Sequence, residues 1–155
     1  MRLALVLCLA AAACRPETTR PSFPPVRGAP TAGIALPVPT ATRLLGDLLR
    51  ADSIPIRRLE PRDGFLESPW IDTLGWRSTT RRILGGRVVR VRAWVDPTRP
   101  GHSQITVETL YRPLADPSLP ERELDEQVPP DHPAGKLVAD ILERLVKQYG
   151  DSAQN

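Results

Sequence analysis

The sequence predicts an α+β domain in which a small antiparallel sheet has two helices packed on one face. Three observations support this prediction. The chain has 155 residues, which is the length of a single domain. Apolar residues recur at helical spacing near both ends of residues 40–150. Between these two stretches, apolar and polar residues alternate as they do in strands, so we place one α+β domain at residues 40–150.

The first helix is predicted from the leucines at positions 44, 45, 48 and 49, which form one apolar stripe. Thr40 or Thr42 can cap its beginning, and we expect it to end near Asp52. The segment "SIPIRR" and residues 65–72 then predict two short strands, joined by the turn "EPRDG". Pro69 makes the second of these an edge or bulged strand.

Two longer strands form the clearest hairpin. In "GRVVRVRAWVD", alternation places residues 89, 91, 93 and 95 on one face and Arg90, Arg92 and Trp94 on the other. The segment "DPTRPGH" supplies a turn, and "SQITVETLY" alternates in the same way. The last helix is predicted to begin at Pro133 and to stop at Gly150. Because both helices are placed on one side of the sheet, we expect the opposite face to stay open.

The amino terminus has the features of an export signal. Arg2 gives a positive start, residues 3–13 form an apolar run, and the run ends in three alanines of the size that a signal peptidase accepts. A helix of this length spans only about 16 Å, whereas the hydrocarbon core of a bilayer is roughly 30 Å thick. We therefore predict that residues 1–13 are a signal peptide that is removed, rather than a permanent membrane span.

Cys14 follows these alanines directly and resembles the cysteine in the lipobox of bacterial lipoproteins. The position three before it, usually leucine in that family, is Ala11. The resemblance implies that the thiol receives a diacylglyceryl group, that Cys14 becomes the first residue of the mature protein, and that the lipid bilayer is a partner. Arg15 after the cysteine favours delivery to the outer membrane. The alternative is an ordinary secretory signal that is cut nearby, with Cys14 as an incidental thiol.

Residues 14–39 are predicted to form a lipidated cysteine followed by a proline-rich, disordered tether. The segment "RPETTRPSFPPVRGAPTAGIALPVP" is too rich in proline, and too poor in alternating apolar residues, to bury a core. At about 3.1 Å per residue, such a polyproline-like stretch would reach on the order of 75 Å from the membrane. A short strand over residues 33–38 is left open, because Ile34, Leu36 and Val38 alternate. Residues 151–155 are predicted to be a disordered tail.

No arrangement of residues in the sequence predicts a catalytic or metal centre. The net charge is +3, but basic and acidic residues are interspersed, which disfavours a nucleic-acid partner. His102 and His132 lie in predicted loops, and two histidines do not fill a histidine-rich metal site. Gly85 and Gly86 precede no Lys-Ser or Lys-Thr pair, so they are typical of a turn rather than of a phosphate loop. We predict no catalysis, no cofactor and no metal.

The predicted open face offers a candidate binding surface made of Trp94, Arg90 and Arg92. An aromatic ring beside two guanidinium groups suits an acidic ligand, or an ordinary wet surface with cation-π contacts. Core packing is the alternative for Trp94, and it is the favoured prediction for Trp70.

The stretch "GFLESPW" is similar to a strand signature in the domains of BamC-type outer-membrane assembly lipoproteins. Gly64, Leu66, Ser68 and Trp70 carry the similarity. It implies a helix-grip-like domain that acts as an accessory scaffold without catalysis, although this chain has room for one such domain where that family has two. Together with the lipobox, it predicts a lipoprotein on the periplasmic face of the outer membrane that binds another envelope protein.

The alternative function is an exported hydrolase of wall or glycan material. It would use carboxylates such as Asp63, Glu67 or Glu108, which no motif in the sequence pairs. Two of them about 5 to 9 Å apart in a deep, apolar-walled cleft would favour this alternative.

Overall fold

An antiparallel sheet with two helices packed on one face forms the fold, as the sequence predicts. The computed structural model describes residues 18–81 and 84–150. In chain order the elements are β1 (Thr31–Ile34), α1 (Val38–Ala51), β2 (Arg58–Glu60), β3 (Phe65–Glu67), β4 (Ile71–Asp72), β5 (Arg77–Ser78), β6 (Gly85–Arg99), β7 (His102–Arg112), a 3-10 turn (Glu121–Leu124), β8 (Glu126–Gln127) and α2 (Pro133–Tyr149). The main strand order is β1-β7-β6-β3-β2, with β4 paired to β5 and β6, and β8 paired to β7.

The β6–β7 hairpin is the centre of the sheet, and its alternation is the predicted one. Positions 89, 91, 93 and 95 of β6 are buried in the core shared with the helices, together with positions 105 and 107 of β7. On the opposite face, which we call the second face, Arg92 pairs in register with Glu108, and Trp94 with Thr106. One face of the hairpin therefore belongs to the apolar core, and the other carries aromatic and charged side chains.

Helix α1 begins at Val38, earlier than the predicted caps Thr40 and Thr42. Pro37 stands at the cap position in extended conformation, and a proline follows in the first turn, where its missing N–H costs nothing. The Thr42 hydroxyl donates instead to the carbonyl of Val38 at 2.7 Å, within the helix. Helix α2 begins at Pro133 and is followed by Gly150, as predicted.

The prediction of a disordered tether up to residue 39 is wrong for the part of it that the structure describes. Thr31–Ile34 forms β1 and pairs with β7, and the side chains of Ala32 and Ile34 are buried in the helix-side core. Proline content did not prevent this, because the strand lies between the prolines and only Pro30 takes part, through its carbonyl, which accepts the Val107 N–H at 3.0 Å. The folded domain therefore includes residues well before position 40.

Some predictions concern residues outside the described ranges. The signal peptide at residues 1–13, the lipidation of Cys14 and the tail at 151–155 belong to this group. Among the helices of the described ranges, none combines the length and the hydropathy that a bilayer span requires.

Candidate functional site

The second face of the sheet is covered, so the prediction that it stays open is wrong. Residues 18–30, which we call the strap, run across it without regular secondary structure. At the start of the strap, the N–H and hydroxyl of Thr19 donate to Asp63 at 2.9 and 2.8 Å. Further along, the Val26 N–H donates to the Glu108 carboxylate at 2.9 Å. The strap thus closes the face over β6 and β7 before it turns into β1.

Trp94 lies beneath the strap and is 1% exposed. Its ring meets Phe65 and the strap residue Phe23 edge to face, with centroids 5.5 and 6.1 Å apart. Arg92 and Arg122 lie over the Phe23 ring at 5.4 and 3.9 Å, so two cations contact the aromatic residue of the strap. The placement of Trp94 on a binding surface is therefore wrong, and the core-packing alternative is the one that the structure adopts.

Arg92 is also buried. It bridges two carboxylates, Glu67 on β3 and Glu108 on β7, the strands on either side of β6. Its Nε lies 2.7 Å from Glu67 Oε2, and one of its terminal nitrogens lies 3.2 Å from Glu108 Oε1. Glu67 receives further charge-assisted contacts from Arg57 and from Arg90, the latter at 3.8 Å. Such pairs repay their desolvation only when their hydrogen bonds are satisfied. The guanidinium of Arg92 is thus part of the structure of the second face and does not form an open surface, which corrects its predicted role.

The pKa values of the two carboxylates in this network are shifted in opposite directions. Burial raises the pKa of Glu67, but hydrogen bonds from Arg57 and Arg92 outweigh it and leave the pKa below the ordinary 4.5. For Glu108 burial is the larger effect, and it holds the pKa above 4.5 despite the Val26 N–H and Arg92. Glu108 therefore costs stability when it ionises beneath the strap.

Glu108→Gln is expected to flatten the pH dependence of stability. Because the folded-state pKa of Glu108 exceeds the unfolded value, its contribution to the free energy of unfolding is complete below 4.5 and is lost as the pH rises through the folded-state pKa. Glutamine keeps a carbonyl oxygen for the Val26 N–H but has no proton to lose. Urea unfolding between about pH 4 and pH 7 measures the difference between the two proteins.

The exposed Glu143 on α2 offers the matched control, Glu143→Gln, which should retain the wild-type pH profile. The pKa of Glu67 lies below 4.5, so above that pH Glu67 is ionised in all three proteins and the comparison there reports on Glu108. Identical profiles for wild type and Glu108→Gln would contradict the burial of an ionisable Glu108 under the strap.

The three carboxylates named for the hydrolase alternative each have partners in the fold. Asp63 holds Thr19 at the start of the strap, while Glu67 and Glu108 share Arg92. Glu108 lies beneath the strap, and Glu67 is surrounded by Arg57, Arg90 and Arg92 rather than by the apolar walls of a cleft. This arrangement favours a structural use of these acids.

Three residues of the "GFLESPW" motif shape the sheet. Gly64 has φ +63, and a Cβ there would lie 2.1 Å from the carbonyl oxygen of Val95, so glycine permits the close approach of two strands. Leu66 is buried in the helix-side core. Ser68 continues the β3–β6 ladder, since its N–H donates to the Val91 carbonyl and its hydroxyl accepts the Val91 N–H, both at 2.8 Å.

Trp70, the fourth motif residue, is half-buried rather than a core residue. The Arg90 guanidinium lies over its ring at 4.4 Å and that of Arg112 at 5.8 Å. Beside Trp70, beyond the strap, the second face opens into a pocket of about 390 Å³. Arg90 lines this pocket, so of the predicted surface residues it is the one that the structure places at an opening.

Phe23 lies in the segment that the sequence predicts to be a tether, so the prediction gives this residue no role. A signal was present, because Phe23 is one of two phenylalanines in the chain and stands among prolines. A bulky aromatic in a proline-rich stretch has surface to bury, which a solvated tether cannot provide. The Arg112–Asp125 pair, with nitrogen–oxygen distances of 2.8 and 3.1 Å, had no sequence signal of its own.

Within residues 18–81 and 84–150, no group of three or more His, Cys, Asp or Glu side chains is placed so that it could hold a metal ion.

No protein-family model matches the chain, and no curated protein is significantly similar to it.

Proposed function

We propose that the protein is a lipid-anchored, non-catalytic binding module of the cell envelope. Acylated Cys14 would hold it at the periplasmic face of the outer membrane, where the domain would serve as a scaffold for another envelope protein, in outer-membrane assembly. The apolar run that ends at Cys14 and the "GFLESPW" similarity support this proposal from the sequence. Two acyl chains suffice for stable anchoring where one does not.

The apolar run that ends directly at Cys14 is the observation that carries the proposal, and the strap limits how far from such an anchor the domain would lie. Thr19 is bonded to Asp63, so the folded domain begins only a few residues after Cys14. Thr18 lies four positions after Cys14, and at about 3.3 to 3.6 Å per residue these four steps reach at most about 14 Å. An anchor at Cys14 would therefore hold the domain against the membrane surface, and not at the distance that a long tether would allow.

The strap also suggests which end of the domain would face the bilayer. Its first residues bind Asp63, in the turn between β2 and β3, and Asp96 near the end of β6, where Arg20 pairs at 2.8 Å. The tip of the β6–β7 hairpin lies just beyond Asp96. Arg90 is six residues away along β6, or about 20 Å at the rise of a strand. The pocket beside Trp70 would thus be directed away from the bilayer, towards the periplasm.

Replacing Cys14 with serine tests the proposal. Without a thiol no diacylglyceryl group is attached, so we expect Cys14→Ser to move from the membrane fraction to the soluble fraction of the cell envelope. Cell fractionation followed by immunoblotting measures the distribution.

Cys8→Ser is the matched control, because Cys8 lies inside the apolar run and would leave with the signal peptide. This variant should stay in the membrane fraction and carry the lipid mass on Cys14. Retention of Cys14→Ser in the membrane fraction, or an unmodified Cys14 in the natural protein by mass spectrometry, would contradict the anchor.

A further inference from the structure

The pocket beside Trp70 combines cationic and hydroxyl donors in one place. We call it the arginine pocket, and it lies on the second face outside the area covered by the strap. Its volume is about 390 Å³. The side chains that line it come from the segments around β2, β3, β5 and β6: Arg57, Pro69, Trp70, Ser78, Thr79, Thr80 and Arg90.

Arg90 has hydrogen-bonding capacity that the described fold does not use. Its side chain is 16% exposed, and its ion-pair contact with Glu67, at 3.8 Å, is longer than a hydrogen bond. Its Nε is buried without an acceptor. Buried polar groups are nearly always hydrogen-bonded, so this N–H is an unused donor in a cationic group beside the pocket. Burial lowers the pKa of Arg90 to about 10, which still leaves it charged at neutral pH.

Arg57 provides a second cation at the arginine pocket, and residues 78–80 provide hydroxyl groups. Arg57 is bonded to Glu67, but its side chain is 58% exposed, so its remaining N–H groups are accessible. The wall opposite is positioned by the Thr79 N–H, which donates to the Trp70 carbonyl at 2.8 Å. The Thr79 hydroxyl accepts from the Arg81 N–H at 3.0 Å, which leaves its own hydrogen for another acceptor.

The ion-pair network to which Arg57 and Arg90 belong has a surplus of one positive unit. Arg57, Arg90 and Arg92 face the two carboxylates Glu67 and Glu108. A ligand group with one negative charge would complete the balance. Guanidinium groups bind planar or tetrahedral oxyanions through two parallel N–H···O bonds, which a carboxylate and a phosphodiester both accept with two terminal oxygens.

We propose that the arginine pocket binds a singly charged oxyanion, the carboxylate or phosphodiester group of a small ligand, through Arg90 and Arg57 with hydroxyls of residues 78–80. Trp70 positions the Arg90 guanidinium by its cation-π contact at 4.4 Å. The inference goes beyond the proposed function, because it requires neither an acylated Cys14 nor a protein partner. Whether Cys14→Ser leaves the membrane fraction or stays in it does not affect this inference.

Titration of the full mature chain followed by NMR tests this inference. The probes are N-acetylglycine for a carboxylate and dimethyl phosphate for a phosphodiester, with the uncharged N-acetylglycinamide as the control ligand. We expect saturable shifts of the Arg90 Nε–H and Trp70 indole signals, with dissociation constants in the millimolar range that is typical of so small a probe. Binding of one probe alone identifies the source of the oxyanion, and binding of both supports the shared chemistry.

Arg90→Gln and Arg57→Gln should each weaken probe binding about tenfold or more, since a hydrogen bond to a charged group is lost. The matched control is Arg43→Gln, which removes the same charge from an exposed position on α1 and should leave binding unchanged. Arg57 is largely exposed, so its variant keeps the test valid if Arg90→Gln does not fold. Absence of saturable shifts with both charged probes, or equal affinity in all three variants, would overturn the inference.

Discussion

Trp94→Ala is expected to lower the free energy of unfolding by about 3 to 5 kcal/mol, because a large buried ring is replaced by a cavity. Trp94 is almost fully buried, and its ring meets Phe65 from β3 and Phe23 from the strap. Both contacts are lost at once, so the strap should loosen together with the sheet. Unfolding in urea, followed by circular dichroism, measures the loss.

Two variants make this result specific. Leu74 is 77% exposed, so Leu74→Ala should change stability by no more than about 0.5 kcal/mol. Trp94→Phe should cost much less than Trp94→Ala, since it keeps an aromatic ring and removes a buried indole N–H that has no acceptor among the described residues. A loss below about 1 kcal/mol for Trp94→Ala would mean that the strap does not cover Trp94 in solution.

Gly64→Ala is expected to cost about 3 kcal/mol or more, since backbone strain and a steric clash add up. Gly64 has φ +63, where a residue with a Cβ is strained. The new Cβ would also lie 2.1 Å from the Val95 carbonyl oxygen and 2.9 Å from a methyl carbon of Val38. The strands must separate to make room for this Cβ, which would weaken the hydrogen bond that the Val95 N–H donates to the Gly64 carbonyl at 2.8 Å. Thermal and urea unfolding give the difference from wild type.

Gly101→Ala separates the two causes. Gly101 at the hairpin tip has φ +77, but apart from its chain neighbours no atom of the described residues lies within 4 Å of the Cβ position. Its substitution should therefore cost only the backbone strain of about 1 to 2 kcal/mol. Equal losses for the two variants would show that the β3–β6 contact is not as close as described.

The helix-side half of the fold could be predicted because its pattern is local. Val91 and Ala93 alternate with Arg92 and Trp94, and a period of two assigns them to opposite faces of a strand whatever the rest of the chain does. The same holds for the leucines of α1, which repeat at helical spacing. The start of α1 was less predictable, because Pro37 and Pro39 begin the helix in place of a threonine cap.

The second face could not be predicted in the same way. Alternation places Trp94, Arg92 and Arg90 on one side of β6, but it does not say what covers them. Trp94 is buried by Phe23, and Arg92 by two carboxylates from different strands, while Arg90 lies past the strap and lines a pocket. Burial depends on which distant segment packs on a side chain, and no local pattern records this.

The sequence by itself determined the α+β class, the central hairpin, the beginning of α2 and the side of the sheet on which residues 89–95 lie. These follow from periodicity and from proline and glycine positions, which act within a few residues. The tertiary structure alone decided that residues 18–30 form a strap, that Trp94 belongs to a core and that Arg90 joins Trp70 and Arg57 in a pocket. The physical reason is that contacts between segments far apart in the chain depend on complementary shape and charge, which become visible only when the segments are brought together.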